Sequence, residues 1–256
     1  MGESVVILGA HGQLGRQLQK IYPDAWMPTR DEFDIHEAEK VKTLAGFDLT
    51  INCTAMHDLK ECDQNPIMAV MTNAISVFSL GVAAQKLIHI STNYVFDGND
   101  NTIYDESAST NPINVYGFTK RLGENMLLVL GKQHLIVRTA GLYGEGGPSG
   151  KGMNFVDAIR DGKYTRVKND EWINPTSCLD LARAIKRNQD KVGILHLVNQ
   201  PVMTWHEFAT MIRKDVEAVP SSLFDDGIKR PKYGGIRSRY DTGMMTVQEA
   251  LEEYLG

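Results

Sequence analysis

Ser4-Val-Val-Ile-Leu8 runs directly into Gly9-Ala-His-Gly12-Gln-Leu-Gly15, and a helix-forming stretch over 16–21 follows. A short, wholly apolar, β-branched run of this kind suits a strand buried on both faces of a parallel sheet. Glycine at Gly9, Gly12 and Gly15 permits a tight strand-to-helix turn. It also lets backbone N–H groups at the positive end of the helix approach a pyrophosphate. A glycine triplet alone can equally be a helix entry that binds nothing. Its position at the head of an alternating chain makes it a candidate dinucleotide cradle.

Outward from this unit the alternation continues. Short strands fit 25–28, 48–52, 87–91 and 135–138, and helical patterns fit 36–44 and 114–130. Ile67, Val70, Ala74, Val77 and Gly81 recur at helical spacing, which predicts a long helix over 66–85. Strands alternating with helices specify an α/β fold with right-handed crossovers, a Rossmann-type doubly wound parallel sheet. After Arg138 the rhythm breaks. Residues 144–152 hold five glycines in nine positions and read as a loop. Helices follow at 179–187 and 205–214, the second behind a Thr204…Glu207 capping box. A strand lies over 195–198, an irregular stretch over 220–246 and a closing helix over 247–255. The expected division is a dinucleotide-binding domain over 1–140 and a small C-terminal substrate-binding lobe over 141–256, of which 164–200 partly returns to the sheet.

Of 256 residues, 27 are Lys or Arg and 32 are Asp or Glu, for a net charge of −5. That balance argues against a nucleic-acid partner. Cys53, Cys62 and Cys178 have no CxxC spacing, which fits a reducing compartment and neither a disulfide framework nor a thiolate zinc site. The seven histidines show no ligand spacing, so no metal is expected, and His89 and His196 read as core or strand residues. Residues 1–6 lack the basic region of an export signal. The most apolar stretch, 67–90, is interrupted by Asn73, Gln85 and Lys86, so no membrane span is expected. The expected location is the cytoplasm.

Three local patterns suggest chemistry. At the end of the second strand Pro28-Thr29-Arg30 offers a hydroxyl and a guanidinium where a carboxylate would select NADH; this favours NADPH, with NADH as the alternative. Ser91-Thr92-Asn93 follows the fourth strand, at the carboxyl end where parallel sheets bind ligands. Tyr116 and Lys120 stand four apart on a helix, which puts phenol and ammonium on one face. A phenol with a pKa near ~10 must be lowered by ~3 units, about 4 kcal/mol, to act as an acid near neutrality, and a nearby cation supplies part of that.

Taken together, these residues resemble the extended short-chain dehydrogenase/reductase superfamily, and within it the dTDP-4-dehydrorhamnose reductase family. The similarity runs from Gly9–Gly15 through Phe33-Asp34-Ile35, Asn52 with Ala55 and Asp63, Asn65-Pro66 to Asn73-Ala74, and Ser91 to Gly98. It continues through Asn111 to Gly117, Lys120 with Gly123-Glu124, Arg138-Thr139 with Tyr143-Gly144, Asn154-Phe155, Pro175-Thr176 and His196 with Thr204-Trp205.

The resemblance implies reduction of a 4-keto sugar nucleotide by a nicotinamide, with Tyr116 protonating the alkoxide, Lys120 acidifying Tyr116 and holding the nicotinamide ribose, and Thr92 bonded near the reacting oxygen. It implies a cofactor site of Gly9, His11, Gly12, Gln13, Leu14 and Gly15 at the pyrophosphate, Thr29 and Arg30 at the adenosine ribose, and Asp34 and Ile35 at the adenine. Cys53, Thr54, Ala55, Met56 and His57 would run beside the cofactor, with Asn73 and Ser91 completing the site. Thr92, Asn93, Gly141, Asn154 and Trp172 are the implied substrate contacts. Asn93 replaces the family's usual Asp, Gly141 stands where close relatives carry a substrate-stacking Trp, and the 169–176 loop departs from the usual pattern. Two alternatives stay open: a non-catalytic nucleotide-binding regulator resembling the regulatory subunit of methionine adenosyltransferase, and a related epimerase or dehydratase. The absence of a carboxylate beside Thr92 weighs against a dehydratase. A homodimer is also left open.

Overall fold

The computed structural model describes residues 2–99, 101–147 and 152–256. Five parallel strands form the central sheet in the order β1 (Val5–Leu8), β2 (Leu49–Asn52), β3 (Leu87–Thr92), β4 (Leu135–Thr139) and β5 (Gly193–His196). Side chains alternate across the pleat. Val5, Ile7, Leu49 and Ile51 face one core, packed by Leu14 and Leu18 of α1 (Gln13–Ile21) and by Leu181 and Ile185 of a later helix. Val6, Leu8, Leu87 and Ile136 face a second core, packed by Val77 and Leu80 of α2 (Pro66–Ala83) and Leu127 of α3 (Val115–Val129). The later helix is α4 (Cys178–Asn188), capped by Ser177.

The strand expected over 25–28 shrinks to a single bridge. Trp26 N–H donates to Val5 O, and Ile7 N–H donates to Trp26 O, each at 2.9 Å. Pro28 has no N–H to extend the ladder. The bridge still lies on the side of β1 away from β2, so the connection out of β1 goes one way and the next strand pairs on the other. This is a topological switch point, the place where open α/β sheets leave a crevice at the carboxyl ends of their strands.

Beyond β4, among the described residues, the sheet gains one strand, β5, reached through α4. Residues 164–177 do not join it: Arg166–Lys168 pairs with Glu217–Val219, Trp172–Ile173 with Met203–Thr204, and Thr176–Ser177 with Leu142–Tyr143. These two- and three-residue ladders are too short for alternation to reveal them in the sequence. The helix Phe155–Arg160, six residues long, is likewise too short to show a clear periodicity. Residues 148–151 of the expected glycine loop lie outside the described residues.

By length and composition the 18 residues of α2 are apolar enough to cross a bilayer, but the helix also packs Val77 and Leu80 into the second core, as a sheet-covering helix does. Asn73, a polar break in the apolar pattern, lies on its buried inner face, on a π turn over Met71–Ile75. Gly123 of α3 meets that turn: a Cβ there would stand 2.3 Å from Asn73 O, so only glycine allows the two helices this close.

Candidate active site

The site begins at the switch point. Gly9 has φ +76°, and a Cβ on it would lie 3.0 Å from the Cys53 carbonyl carbon and the Thr54 nitrogen, so the turns after β1 and β2 press together there. A Cβ on Gly15 would stand 2.4 Å from Gly9 O. The amino end of α1 has no side-chain cap and no acid in its first turn, leaving its N–H groups for an anion. These features fit a pyrophosphate cradle. Within it Gln13 donates to Gly144 O at 3.3 Å, while the Leu14 side chain is buried in the core, so only its backbone faces the turn. His11 is exposed, its carbonyl accepting from Arg16.

At the end of the Trp26 bridge, Thr29 donates through both N–H and hydroxyl to Glu32, at 2.8 and 2.9 Å. Arg30 is exposed and makes no ion pair among the described residues. The acids that could have neutralised it leave it free. Asp34 accepts from His36 N–H, and Ile35 is buried in the second core.

Past β2, Asn73 fixes the next stretch: Met56 N–H donates to Asn73 Oδ1, and Asn73 Nδ2 donates to Met56 O, both at 2.9 Å. Nδ2 also donates to Thr119 of α3 at 3.0 Å. Asn73 therefore orients the 53–57 segment and is itself fully buried. Cys53, Thr54, Ala55 and Met56 are partly exposed and His57 is exposed.

Tyr116 opens α3, where Asn114 caps the helix by accepting from Gly117 N–H at 2.8 Å. A Cβ on Gly117 would fall 2.1 Å from Tyr94 O, so the helix start sits tightly on the Asn93–Val95 turn. The Tyr94 and Tyr116 rings meet edge to face, 5.7 Å apart. Thr92 lies at the carboxyl end of β3, and its hydroxyl accepts from Tyr94 N–H at 3.1 Å. Burial pushes the Tyr116 phenol above its ordinary value, and the nearby Thr92 side chain offsets only part of this.

The lowering of Tyr116 expected from Lys120 is therefore not found. Lys120 is 1% exposed, and its Nζ donates to Ile90 O at 2.7 Å and lies 3.1 Å from His89 Nε2. Burial without a carboxylate in ion-pair range pulls the ammonium down to about 8, although Glu124 and Cys53 act in the other direction.

Ser91 is brought close but is committed elsewhere. Its hydroxyl donates to Glu124 Oε1 at 2.6 Å, and Glu124 is paired by Arg138 at 2.9 and 2.7 Å and by Arg121 at 3.1 Å. This ties α3, β3 and β4 together beneath the site. Asn93 is buried, its amide donating to Gly234 O at 2.8 Å. Where the family's Asp would present a charge, this chain has a clasp on the C-terminal segment. Gly141 has φ +55°, and a Cβ there would strike Asn174 O at 2.3 Å, so this backbone admits no side chain at all. Asn154 is 2% exposed and caps the Phe155–Arg160 helix, its amide held by Gly144 O, Asp157 and Tyr254. Trp172 is half-buried and stacks on Tyr233 at 4.8 Å, beside a cavity of about 220 Å³ also lined by Ile103, Val202 and Gly235.

Sequence reasoning missed His89, Asn52, Tyr94 and Tyr233. The available signal for the first two was a polar residue in an otherwise apolar, fully buried strand.

The RmlD substrate binding domain model matches residues 3–253. The chain is 30% identical to the spore coat polysaccharide biosynthesis protein SpsK of Bacillus subtilis, over 98% of this chain and 96% of that one. It is 32% identical to a dTDP-4-keto-6-deoxy-D-glucose reductase of Streptomyces niveus, over 91% and 88%. A Bacillus anthracis dTDP-4-dehydrorhamnose reductase solved in complex with NADP superimposes with TM-score 0.90 at 32% identity, over 100% and 99%.

Proposed function

Because the chain belongs to the RmlD substrate binding domain family, we propose that it is an NADPH-dependent reductase of the 4-keto group of a dTDP-4-keto-6-deoxysugar. When bound, the nicotinamide supplies the hydride. The observation that carries the reading is Tyr116 packed against the turn that leaves the carboxyl end of β3 just after Thr92, on the same edge of the sheet as the Gly9–Gly15 turn. Tyr116 donates its proton to the alkoxide oxygen as that charge develops. Thr92 orients the Tyr116 hydroxyl from the strand side. The high phenol value keeps Tyr116 protonated, the form an acid must have, until charge appears in front of it.

Gly9, Gly12, Gly15 and the free amino end of α1 would hold the pyrophosphate, and Arg30 would meet a 2′-phosphate. Asn73 acts by holding the 53–57 segment in place. Trp172 and Tyr233 offer an aromatic wall for the sugar nucleotide, the place a residue at 141 cannot fill. The exposed apolar side chains of α2 and α3 support a homodimer.

The test is NADPH oxidation by the purified protein with dTDP-4-keto-6-deoxysugars. Turnover is expected, and Tyr116→Phe should lower kcat by about 10²- to 10⁴-fold with the fold intact. Absence of turnover with every such sugar, in protein that still binds NADPH, would overturn the proposal in favour of the regulator.

A further inference from the structure

A buried chain of side chains runs inward from the site: Thr54, Asn52, His89, Lys120. Its hydrogen-bond directions follow from one main-chain donor. Thr54 N–H lies 3.0 Å from Asn52 Oδ1 and can only donate, so that atom is the amide oxygen. Asn52 Nδ2 therefore faces His89 Nδ1, at 3.1 Å, and donates to it. A ring nitrogen that accepts carries no hydrogen, so the proton of neutral His89 sits on Nε2. Nε2 in turn lies 3.1 Å from Lys120 Nζ. An ammonium has only donors, so it cannot receive that N–H; a neutral amine can, while still donating to Ile90 O at 2.7 Å.

We propose that His89 is a positioning residue whose Nε2–H favours the neutral amine of Lys120, so that protonation of Nζ is coupled to the His89 ring giving up its hydrogen bond from Asn52. The proposal deepens the reductase reading and rests on it for its significance, because it makes the charge beside Tyr116 conditional on the strand behind it.

The surroundings agree. His89 is fully buried, and burial holds its imidazole well below the usual range, in the neutral form. The groups that face Lys120 electrostatically are Glu124 on its own helix and Cys53 after β2. Glu124 already serves Arg138, Arg121 and Ser91, and neither group makes an ion pair with Nζ. The chain also ends at Thr54, in the segment that would run beside the cofactor, so displacement of that segment would be felt at Lys120 Nζ through two side chains.

The experiment is a pH titration by NMR of protein prepared without nucleotide, reading the ¹³Cε shift of Lys120, assigned with Lys120→Met, and the ring ¹⁵N shifts of His89. The expected Lys120 midpoint is near 8, and above it the expected ring pattern is protonated Nε2 with bare Nδ1. In His89→Gln the carboxamide can turn its oxygen to Nζ, so the midpoint should rise by about one pH unit or more. Asn52→Leu should raise it as well, because His89 is then free to carry its proton on Nδ1 and accept from the ammonium. A protonated Nδ1 in the parent protein above the Lys120 midpoint, or a midpoint unmoved by His89→Gln, would overturn the proposal. If Asn52→Leu does not fold, the ring pattern and His89→Gln decide alone. None of these readings requires turnover, so absence of reductase activity would defeat the preceding section without touching this assignment.

As a kinetic readout, the alkaline limb of kcat against pH should move upward in His89→Gln. A purely structural role would lower kcat equally at every pH.

Discussion

In the proposed reading Arg30 sets the preference between the two nicotinamides. An exposed guanidinium without an ion pair is an energetically idle charge until a dianion arrives. Glu32 would have cancelled it, but Thr29 occupies that carboxylate with two hydrogen bonds. Hydrogen bonds to a charged partner are worth ~1.5–3 kcal/mol, so Arg30→Ala should weaken NADPH binding by about 10- to 100-fold. NADH binding should change little, because the 2′-hydroxyl offers no charge for the lost cation. Paired fluorescence titrations with the two cofactors check this; equal losses for both would place Arg30 outside the site. Tyr116 and Lys120 are a pair of the opposite kind, two buried groups whose neutral forms burial favours.

Among the elements, the contact of α2 with α3 positions most. The π turn at Met71–Ile75 turns Asn73 inward, and α3 can approach because residue 123 has no side chain. Through Asn73 the contact reaches Met56, and through Thr119 it reaches the helix that carries Tyr116 and Lys120. Forcing a methyl against a backbone carbonyl at this junction should cost ~1–3 kcal/mol. Gly123→Ala should therefore lower the melting temperature by several degrees and weaken nucleotide binding as the 53–57 segment shifts. Gly46→Ala is the control: nothing lies within 4 Å of a Cβ there, and melting should be unchanged. A Gly123→Ala protein as stable as its parent would show that the helices tolerate separation.

At the scale of the molecule the outer surface of α2 and α3 stands out. Ile67 is 80% exposed and Val129 84%, and Met71, Phe78, Val82 and Phe118 are exposed with them on the same two packed helices. A sheet-covering helix needs only its inner stripe apolar. Apolar side chains on the outer stripe of both helices suit a second copy of the chain. Sedimentation should show a dimer, and Phe118→Glu with Val129→Glu should shift it to monomer while the far-ultraviolet spectrum is kept. A monomeric parent protein would refute this use of the face.

The order of strands and helices in the first 140 residues, the glycine cradle and the Tyr116–Lys120 spacing were determined by sequence alone. Each rests on a local rule: β-branched runs for buried strands, 3.6-residue periodicity for packed helices, and glycine where a Cβ has no room. The short ladders of the C-terminal lobe, the collapse of the second strand to Trp26 and the commitment of Ser91, Asn93 and Asn154 to structural bonds were decided only in the tertiary structure. So was the link from Lys120 to His89. In each case the partner lies far along the chain, as Gly234 does for Asn93 and Tyr254 for Asn154, and burial then sets the charge of whatever the packing encloses. Local pattern can say that a lysine lies one turn from a tyrosine; whether that lysine is charged depends on a strand thirty residues away.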